Sequence, residues 1–323
     1  MSLLPGRRRD PVLFHRHAHN PILAASQWPY PANSVFNAGA TLLPDGTTLL
    51  LCRVEDFRGL SHLMAARSQD GVGNWRIDSA PTMTPHPDHP DEAWGIEDPR
   101  ITYLAEEGAY ALLYTAYSPA GPGVALALTH DFETFERRGM IFPPEDKDAA
   151  IFPVRFKKGW AALHRPVTSI CANIHLSYSD NLRYFGDSQM VLTSRRGPWW
   201  DAAKIGLSAP PILTHRGWLL IYHGVKTNGS GVLYRVGLAL LDLDDPGRCL
   251  LRSDPWVFGP RELSERVGDV DNVVFPCGTT LAPDGATLRM YYGQADTSIG
   301  LATASLGELL NWLDQNGRVP TLD

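Results

Sequence analysis

The feature of this sequence that most constrains its fold is a hairpin pattern that occurs five times along the 323-residue chain. Each copy has a short run of β-branched or aromatic residues, a polar or glycine-containing turn, and a second such run. The copies begin at Asn37, Glu97, Ala149, Ser208 and Asn272. A pattern that recurs in this way is typical of repeat architectures, in which each copy is one supersecondary unit.

Each hairpin is followed by a third short run rich in small residues, as in LMAARSQDG at Leu63 and VALALTHDF at Val124. A fourth strand is predicted after it, as at Trp75 and Phe135. Four strands recurring every ~50–70 residues match the blades of a β-propeller, and no long helices alternate with them. The sequence therefore predicts an all-β, five-bladed propeller formed by residues 1–323 as a single domain, and it disfavours a doubly wound α/β fold.

The two ends of the chain are predicted to finish this propeller. The N-terminal segment is expected to complete the last blade, and LGELLNWL from Leu306 is expected to form a short closing helix.

Composition limits the partners of the protein. The net charge of −6 and the pI of about 6.0 leave no basic field for nucleic acid. No apolar stretch approaches the ~20 residues of a membrane span, and the N-terminus MSLLPGRRRD lacks the apolar segment of a signal peptide. The four cysteines, Cys52, Cys171, Cys249 and Cys277, lie far apart, which argues against structural zinc and favours reduced thiols. We expect a cytoplasmic protein without metal or cofactor that contacts neither nucleic acid nor membrane; a homo-oligomer is compatible with the sequence.

Unusual polar residues lie at the two hairpin positions that meet at one mouth of a propeller channel. These positions are the start of the first strand and the end of the second, because the second strand returns to the face where the first began. At the first position lie Asn37, Glu97, Asp98, Lys147, Asp148, Lys204, Asp271 and Asn272. At the second lie Arg53, Glu55, Tyr114 to Tyr117, His164, Arg165, Tyr222, His223 and Asp296. One such residue alone is usually a turn residue or is bonded to the backbone, but recurrence in phase predicts a shared site at this mouth.

Cations are prominent in this set. They are Arg53, Lys147, Arg165, Lys204 and His223. Charged groups that converge on one pocket are costly unless they pair or serve a ligand, and a purely structural network needs no excess of cations. Arginine and histidine donors around a small site suit a phosphate or carboxylate, so we expect an anionic ligand.

Nine segments of the chain resemble glycoside hydrolase family 130, the mannoside phosphorylases and related mannosidases. They are NPIL at Asn20, FNAGAT at Phe36, GIEDPRITYL at Gly95, DKDAAIFP at Asp146, LHRP at Leu163, WDAAKIG at Trp200, GWLLIYHGV at Gly217, VVFPCG at Val273 and YYGQADTSIGLA at Tyr291. The segments follow the order of the family along nearly the whole chain, and the family is itself a five-bladed propeller.

The resemblance implies a role for each polar position. Asp98 in EDPR resembles the catalytic acid of the family. The residues that resemble its phosphate-binding cations are Lys147, Arg165 and His223, with Lys204 nearby. Those that resemble its contacts to the cleaved mannose are Arg53, Asn37 and Asp296. Glu97, Asp148 and Tyr222, at the same strand ends, are predicted to bind substrate beside them.

This set suits phosphorolysis, because phosphate is already a nucleophile and only an acid and a cationic cradle are required, whereas an inverting hydrolase needs a second carboxylate as base. Inorganic phosphate is then the co-substrate. The products are α-mannose 1-phosphate and a shortened sugar, from a β-1,4-mannooligosaccharide or mannosyl-N-acetylglucosamine or mannosyl-glucose. Asp98 should have a raised pKa, with Glu97 as a like-charged neighbour. Candidates for stacking on sugar rings are Trp94, Trp199, Trp200 and Tyr292.

Two other functions fit parts of the same pattern. A β-mannoside hydrolase on this fold would work without phosphate. A propeller that binds sugars without turnover would need no acid at position 98.

Overall fold

A computed structural model describes residues 12–168, 172–229 and 231–321, so Cys171 lies outside the described residues. Its strands form five antiparallel sheets, and the innermost strands of successive sheets contact one another around a central channel. The predicted five-bladed β-propeller is confirmed.

The strands of the first half of the chain, in order, are β1 (His15–Arg16), β2 (Leu23–Ala24), β3 (Ser34–Leu42), β4 (Thr48–Glu55), β5 (Ser61–Ser68), β6 (Arg76–Ile77), β7 (Ile96–Leu104), β8 (Ala109–Ser118), β9 (Gly121–Thr129), β10 (Glu136–Phe142), β11 (Asp146–Phe156) and β12 (Gly159–Pro166). Those of the second half are β13 (Ile174–Ser179), β14 (Gly186–Leu192), β15 (Lys204–Leu207), β16 (Ile212–Thr214), β17 (Gly217–Asn228), β18 (Gly231–Leu241), β19 (Cys249–Ser253), β20 (Val274–Leu281), β21 (Thr287–Gln294), β22 (Ser298–Ser305) and β23 (Gly317–Arg318). The α-helices are α1 (Leu263–Arg266) and α2 (Leu306–Asn316), and two single 3₁₀ turns cover Ala25–Gln27 and Pro90–Glu92.

Each blade is one sheet, numbered here from the channel outwards. Blade 1 is β3 to β6, blade 2 is β7 to β10 and blade 3 is β11 to β14. Blade 4 is β15 to β19 with β23 at its outer edge, and blade 5 is β20 to β22 with β1 and β2. In blade 4 the innermost position is divided between β15 and β16, because the prolines of Ser208–Pro211 cannot donate to the ladder.

Both faces of the inner strands are buried, which explains their nearly continuous apolar runs. Leu49 and Leu51 of blade 1, for example, pack against Ile101 and Leu112 of blade 2 in one cluster. Each blade thus buries its face on the next, and the core is a ring of interblade layers.

The ends of the chain close this ring as the sequence predicts. Strands β1 and β2 both pair with β22, and the Asn20 side chain between them bonds to the backbone of Leu301 in both directions, at 2.9 and 3.0 Å. Ser305 caps helix α2, because its side chain accepts a hydrogen bond from the Glu308 N–H, and the helix buries Leu309 and Leu313. No helix in the described part of the chain is long and apolar enough to cross a membrane.

A shared irregularity in blades 1 to 3 positions the functional residues. The innermost strand of each has a β-bulge, and at the bulge Asn37, Asp98 and Asp148 take positive φ values of 48°, 50° and 56°. Such a backbone is strained for residues other than glycine, although Asn and Asp tolerate it best. Because a bulge re-aims a side chain, the same device in three blades turns three polar groups towards one point.

Candidate active site

A cavity of about 190 Å³ lies at the mouth where the innermost strands begin. Its lining residues are Asn37, Arg53, Asp98, Lys147, Asp148, Arg165, Lys204, His223, Tyr234, Val270, Val273, Phe275 and Asp296. The structure therefore brings together nine of the eleven residues that the sequence nominates, with Glu97 beside them and Tyr222 apart. Asp271 and Asn272, which the strand-end rule also selected, do not line this cavity.

The Asp98 carboxylate is held by donors on two sides. Asn37 Nδ2 donates to Asp98 Oδ1 at 2.9 Å, and an Arg53 guanidinium nitrogen donates to the same oxygen at 3.2 Å. Burial alone would raise the pKa of Asp98, but the charges of Arg53, Lys147 and Arg100 outweigh burial and lower it. The expected raised pKa of Asp98 is therefore wrong.

Glu97 explains this difference. Its carboxylate lies between two cations, 3.1 Å from an Arg53 nitrogen and 3.2 Å from Lys147 Nζ. The charge of Glu97 is thus balanced by Arg53 and Lys147, and the same two cations also lie close to Asp98. Burial disfavours the charge of Lys147, but Glu97 and Asp98 outweigh this effect and raise its pKa.

Asp148 organises the other side of the cavity. One carboxylate oxygen accepts from Arg165 Nε at 2.7 Å and lies 3.4 Å from His223 Nε2, and the other accepts from Arg100 at 3.3 Å. Although burial opposes the charge, Arg165 and His223 hold the pKa of Asp148 well below its usual range. Because these partners occupy both of its oxygens, Asp148 positions the cations.

His223 lies at the position where blade 4 approaches Asp148. Burial lowers the pKa of His223, and the carboxylate of Asp148 offsets this effect only in part. The approach depends on Gly206, the cross-strand partner of His223, because a Cβ there would lie only 2.6 Å from His223 Cε1.

Arg100, which sequence reasoning did not single out, ties these groups to the scaffold. Its buried guanidinium donates to the backbone oxygens of Asp98 at 2.9 Å, Ser208 at 2.9 Å and Leu207 at 3.1 Å. It thereby links the bulges of blades 2 and 3 to blade 4. The signal for it was the arginine of the EDPR segment, two residues after the acid.

Tyr234 was missed because it lies on β18, the third strand of its blade, where the strand-end rule does not apply. Its ring faces the cavity with the Lys204 ammonium 5.4 Å from the ring centroid. Among the described residues, Lys204 makes no ion pair within 4.0 Å, so its charge is available at the cavity.

The structure contradicts the placement of Tyr222 at the site. Its side chain is fully buried inside the blade, where its hydroxyl bonds to Asp201 at 3.2 Å and accepts from Arg252 at 3.0 Å. Successive side chains of a strand point to opposite faces, so His223 faces the cavity and Tyr222 cannot. His164 is turned inwards beside Arg165 for the same reason, with Nδ1 2.6 Å from Asp146.

Two of the four aromatic residues proposed for sugar stacking have structural roles instead. Trp200 is buried and donates its indole N–H to the Asp254 backbone oxygen at 2.9 Å. Tyr292 is buried and donates to Glu265 at 2.9 Å. Trp94 and Trp199 remain exposed, and Trp94 packs edge-on against Tyr117, whose ring centroid lies 6.0 Å from Lys147 Nζ.

A propeller mouth that combines buried carboxyls with lysine and arginine side chains is a pocket suited to an anionic ligand. Comparison with known proteins gives the family. The family model described as beta-1,4-mannooligosaccharide phosphorylase matches residues 21–315, and the chain belongs to this family, glycoside hydrolase family 130.

Several relatives support this assignment. The chain is 38% identical to a beta-1,2-mannobiose phosphorylase of Listeria innocua over 79% of this chain and 69% of that protein. It is 32% identical to a 1,2-beta-oligomannan phosphorylase of Thermoanaerobacter over 92% and 99% of the two chains. The solved Listeria beta-1,2-mannobiose phosphorylase in complex with beta-1,2-mannobiose superposes with a TM-score of 0.85 at 30% identity, covering 94% of this chain and 99% of that one.

Proposed function

We propose that the protein catalyses reversible phosphorolysis of β-mannosides, yielding α-mannose 1-phosphate and a shortened sugar. The observation that carries this proposal is the convergence of Lys147, Arg165, Lys204 and His223 on the cavity that also contains Asp98. A phosphate dianion loses much of its hydration on entering such a cavity, and charge-assisted hydrogen bonds from these side chains would replace it.

The state of the carboxylates favours phosphorolysis over hydrolysis. An inverting hydrolase needs one carboxylate as a base to activate water. Of the carboxyls that line the cavity, Asp98 and Asp148 are paired with cations that lower their pKa values, which makes them weak bases. Asp296, which has no such partner among the described residues, is assigned to the cleaved mannose and not to a water molecule. Phosphate needs no such base, because it can attack the anomeric carbon directly from the face opposite the leaving sugar.

In this mechanism Arg53, Asn37 and Asp296 contact the cleaved mannose, and the basic residues hold phosphate beneath its anomeric carbon. Attack with inversion converts the β-mannoside into the α-phosphate. The leaving oxygen is protonated through Asp98. Inorganic phosphate is a co-substrate, and the proposed reaction uses no metal or other cofactor. A cytoplasmic location and a homo-oligomeric state stay predictions.

For the substrate, we propose a β-1,2-linked mannobiose or short oligomannan. The three relatives above 30% identity are all named for phosphorolysis of β-1,2 mannosides, at 38%, 34% and 32%. The β-1,4 linkage favoured by the sequence analysis has support from the family description and from a Ruminococcus albus enzyme at 29% identity, named beta-1,4-mannooligosaccharide phosphorylase.

Synthesis in the reverse direction tests both the reaction and the linkage. The protein is incubated with α-mannose 1-phosphate and mannose, glucose or N-acetylglucosamine, and phosphate release is followed before the disaccharide is identified. We expect phosphate release with mannose and a β-1,2-linked product. A β-1,4-linked product would overturn the linkage, and no release with any acceptor would overturn the phosphorylase.

A further inference from the structure

We propose that Asp296 is a second catalytic acid, which holds the proton of the reaction in the resting enzyme and passes it to Asp98 when phosphate binds. This inference rests on the proposed phosphorolysis and assigns Asp296 a role beyond contact with the sugar.

Asp296 differs from the other carboxyl groups at the cavity because it lacks a partner. Asp98 lies 3.2 Å from an Arg53 nitrogen and Asp148 lies 2.7 Å from Arg165 Nε. Within the described ranges, the Asp296 side chain has no basic nitrogen within 4.0 Å and makes no hydrogen bond. Of the three aspartates that line the cavity, Asp296 is therefore the one whose anion is least stabilised.

The backbone at Asp296 is held in an unfavourable conformation to place it there. Ala295 and Asp296 have φ values of 46° and 51°, and the Thr297 N–H donates to the Gln294 oxygen at 3.0 Å. Three residues separate the paired Gln294 and Ser298, and the tight turn within this loop has positive φ at both central positions, a conformation normally adopted by pairs such as Asn-Gly. Strain of this kind is found where the surroundings require one side-chain position, as at active sites.

The charged groups that face Asp296 also oppose its ionisation. The charges of three carboxylates, those of Asp98 on β7, Glu55 on β4 and Asp269 in the loop before β20, oppose its ionisation, and the guanidinium of Arg53 favours it. Burial first, and then the charge of Asp98, raise the pKa of Asp296 to about 7. The pKa of Asp98 is lowered. Two carboxyls whose environments separate their pKa values in this way divide the roles of proton carrier and anion between them.

Phosphate binding would make Asp98, rather than Asp296, the carboxyl that holds the proton. The Lys147 charge that helps to keep Asp98 ionised lines the proposed phosphate site, and a bound dianion would offset it. The pKa of Asp98 then rises and Asp98 takes the proton from Asp296. Asp98 is thus protonated, and able to act as the acid, only when phosphate is bound.

The proton balance of the cycle closes. The proton moves from the Asp296 carboxyl to Asp98 and then to the oxygen of the leaving sugar, while the bond from that oxygen to the anomeric carbon breaks and its electron pair stays on oxygen. A lone pair of a phosphate oxygen forms the new bond to the anomeric carbon. The hydrogen phosphate loses its proton as the ester forms, and this proton returns to Asp296.

The variant Asp296→Asn tests the proposal when its turnover is measured on two glycosyl donors, mannobiose and a mannosyl fluoride, at saturating phosphate. Asparagine tolerates positive φ, so the fold should be kept. With β-1,2-mannobiose, turnover should fall at least about 100-fold, the usual range for loss of an acid. With β-mannosyl fluoride, which leaves without a proton, the variant should keep most of its turnover. Asp187→Asn, the same change at an exposed residue that also has a positive φ (52°) and does not line the cavity, should leave both activities intact.

The wild-type enzyme gives a second test that needs no variant. Turnover of mannobiose should decline as the pH rises through about 7, where Asp296 loses its proton, and turnover of the fluoride should lack this decline. Titration of phosphate affects both donors alike and cancels in the comparison.

Three outcomes would overturn the proposal: equal losses on the two donors in Asp296→Asn, unchanged turnover on both, or identical wild-type pH profiles. Equal losses would reduce Asp296 to a sugar contact. Wild-type cleavage of both donors without phosphate is a separate failure, because it would refute the phosphorolysis itself.

Discussion

The two mouths of the central channel are built from the same five innermost strands, and they differ in chemistry. At one mouth, bulges with positive φ turn Asn37, Asp98 and Asp148 into a charged cavity of about 190 Å³. At the other, a cavity of about 300 Å³ is lined by residues such as Ile101, Pro153 and Thr279, and no charged side chain of the described residues lines it. The scaffold thus requires neither the charge nor the strain, and their confinement to one mouth marks it as the functional end.

The largest expected difference between the mouths concerns the acid. Asp98→Asn keeps the shape of the side chain but removes its ability to transfer a proton. Turnover on mannobiose should fall by about 10²- to 10⁴-fold with substrate binding largely kept. Thr279→Val at the other mouth should leave turnover unchanged. Retention of more than about a tenth of turnover in Asp98→Asn would place the acid elsewhere.

The next effect concerns phosphate. Removing the Arg165 guanidinium deletes a charge-assisted hydrogen bond, worth roughly 1.5–3 kcal/mol, and frees its partner Asp148 to repel the dianion. Arg165→Ala should therefore weaken apparent phosphate affinity by about 10- to 100-fold, measured as the KM for phosphate. Arg155→Ala in the same blade removes only an exposed pair with Asp180 and is the matched control. If the two variants have the same KM for phosphate, Arg165 has no part in binding it.

A smaller effect is expected at Gly206, where blade 4 must let His223 and Asp148 approach. A methyl group there should displace both side chains and destabilise the protein by about 1–3 kcal/mol, the usual range for overpacking. Gly206→Ala should lower the melting temperature and raise the KM for phosphate. Gly186→Ala, where nothing lies within 4 Å of the added carbon, should change neither. An unchanged KM for phosphate in Gly206→Ala would show that the contact between His223 and Asp148 is dispensable.

The smallest effect is on stability and depends on pH. Burial and Asp98 raise the pKa of Asp296 to about 7, against about 3.9 for an unfolded aspartate. The ionisation of Asp296 therefore destabilises the folded state progressively as the pH rises from about 3.9 to about 7; the penalty is complete above the folded pKa and absent below the unfolded pKa. Asp296→Asn should melt a few degrees higher than wild type at pH 8, about 2–4 °C per kcal/mol, with a smaller difference at pH 5. A variant that melts lower at pH 8 would contradict the raised pKa.

The sequence predicted most of this site because the five hairpin repeats showed which positions of the blades are equivalent. The hairpin pattern fixed the number of blades, and the strand-end rule then selected residues such as Asp98, Lys147 and His223. It failed at Tyr222 because the rule selects a strand end but not the face on which each residue lies, and that depends on strand register and bulges. It missed Tyr234 because a third strand reaches the cavity.

The protonation states were beyond the sequence for a different reason. The pKa of a buried carboxyl depends on which cations lie within a few ångströms, and motifs do not give those distances. The EDPR segment suggested Glu97 as a like-charged neighbour that would raise the pKa of Asp98. In the structure Glu97 pairs with Arg53 and Lys147, and Asp296 is the aspartate with the raised pKa.

The measurement that tests the central claim most directly is the fate of β-1,2-mannobiose with and without inorganic phosphate, with the products resolved by chromatography and ³¹P NMR. The account predicts that α-mannose 1-phosphate and mannose form in equal amounts in phosphate, and that cleavage is negligible in its absence. Release of two mannose molecules per mannobiose at the same rate in phosphate-free buffer would contradict it, and would assign the same cavity to a hydrolase.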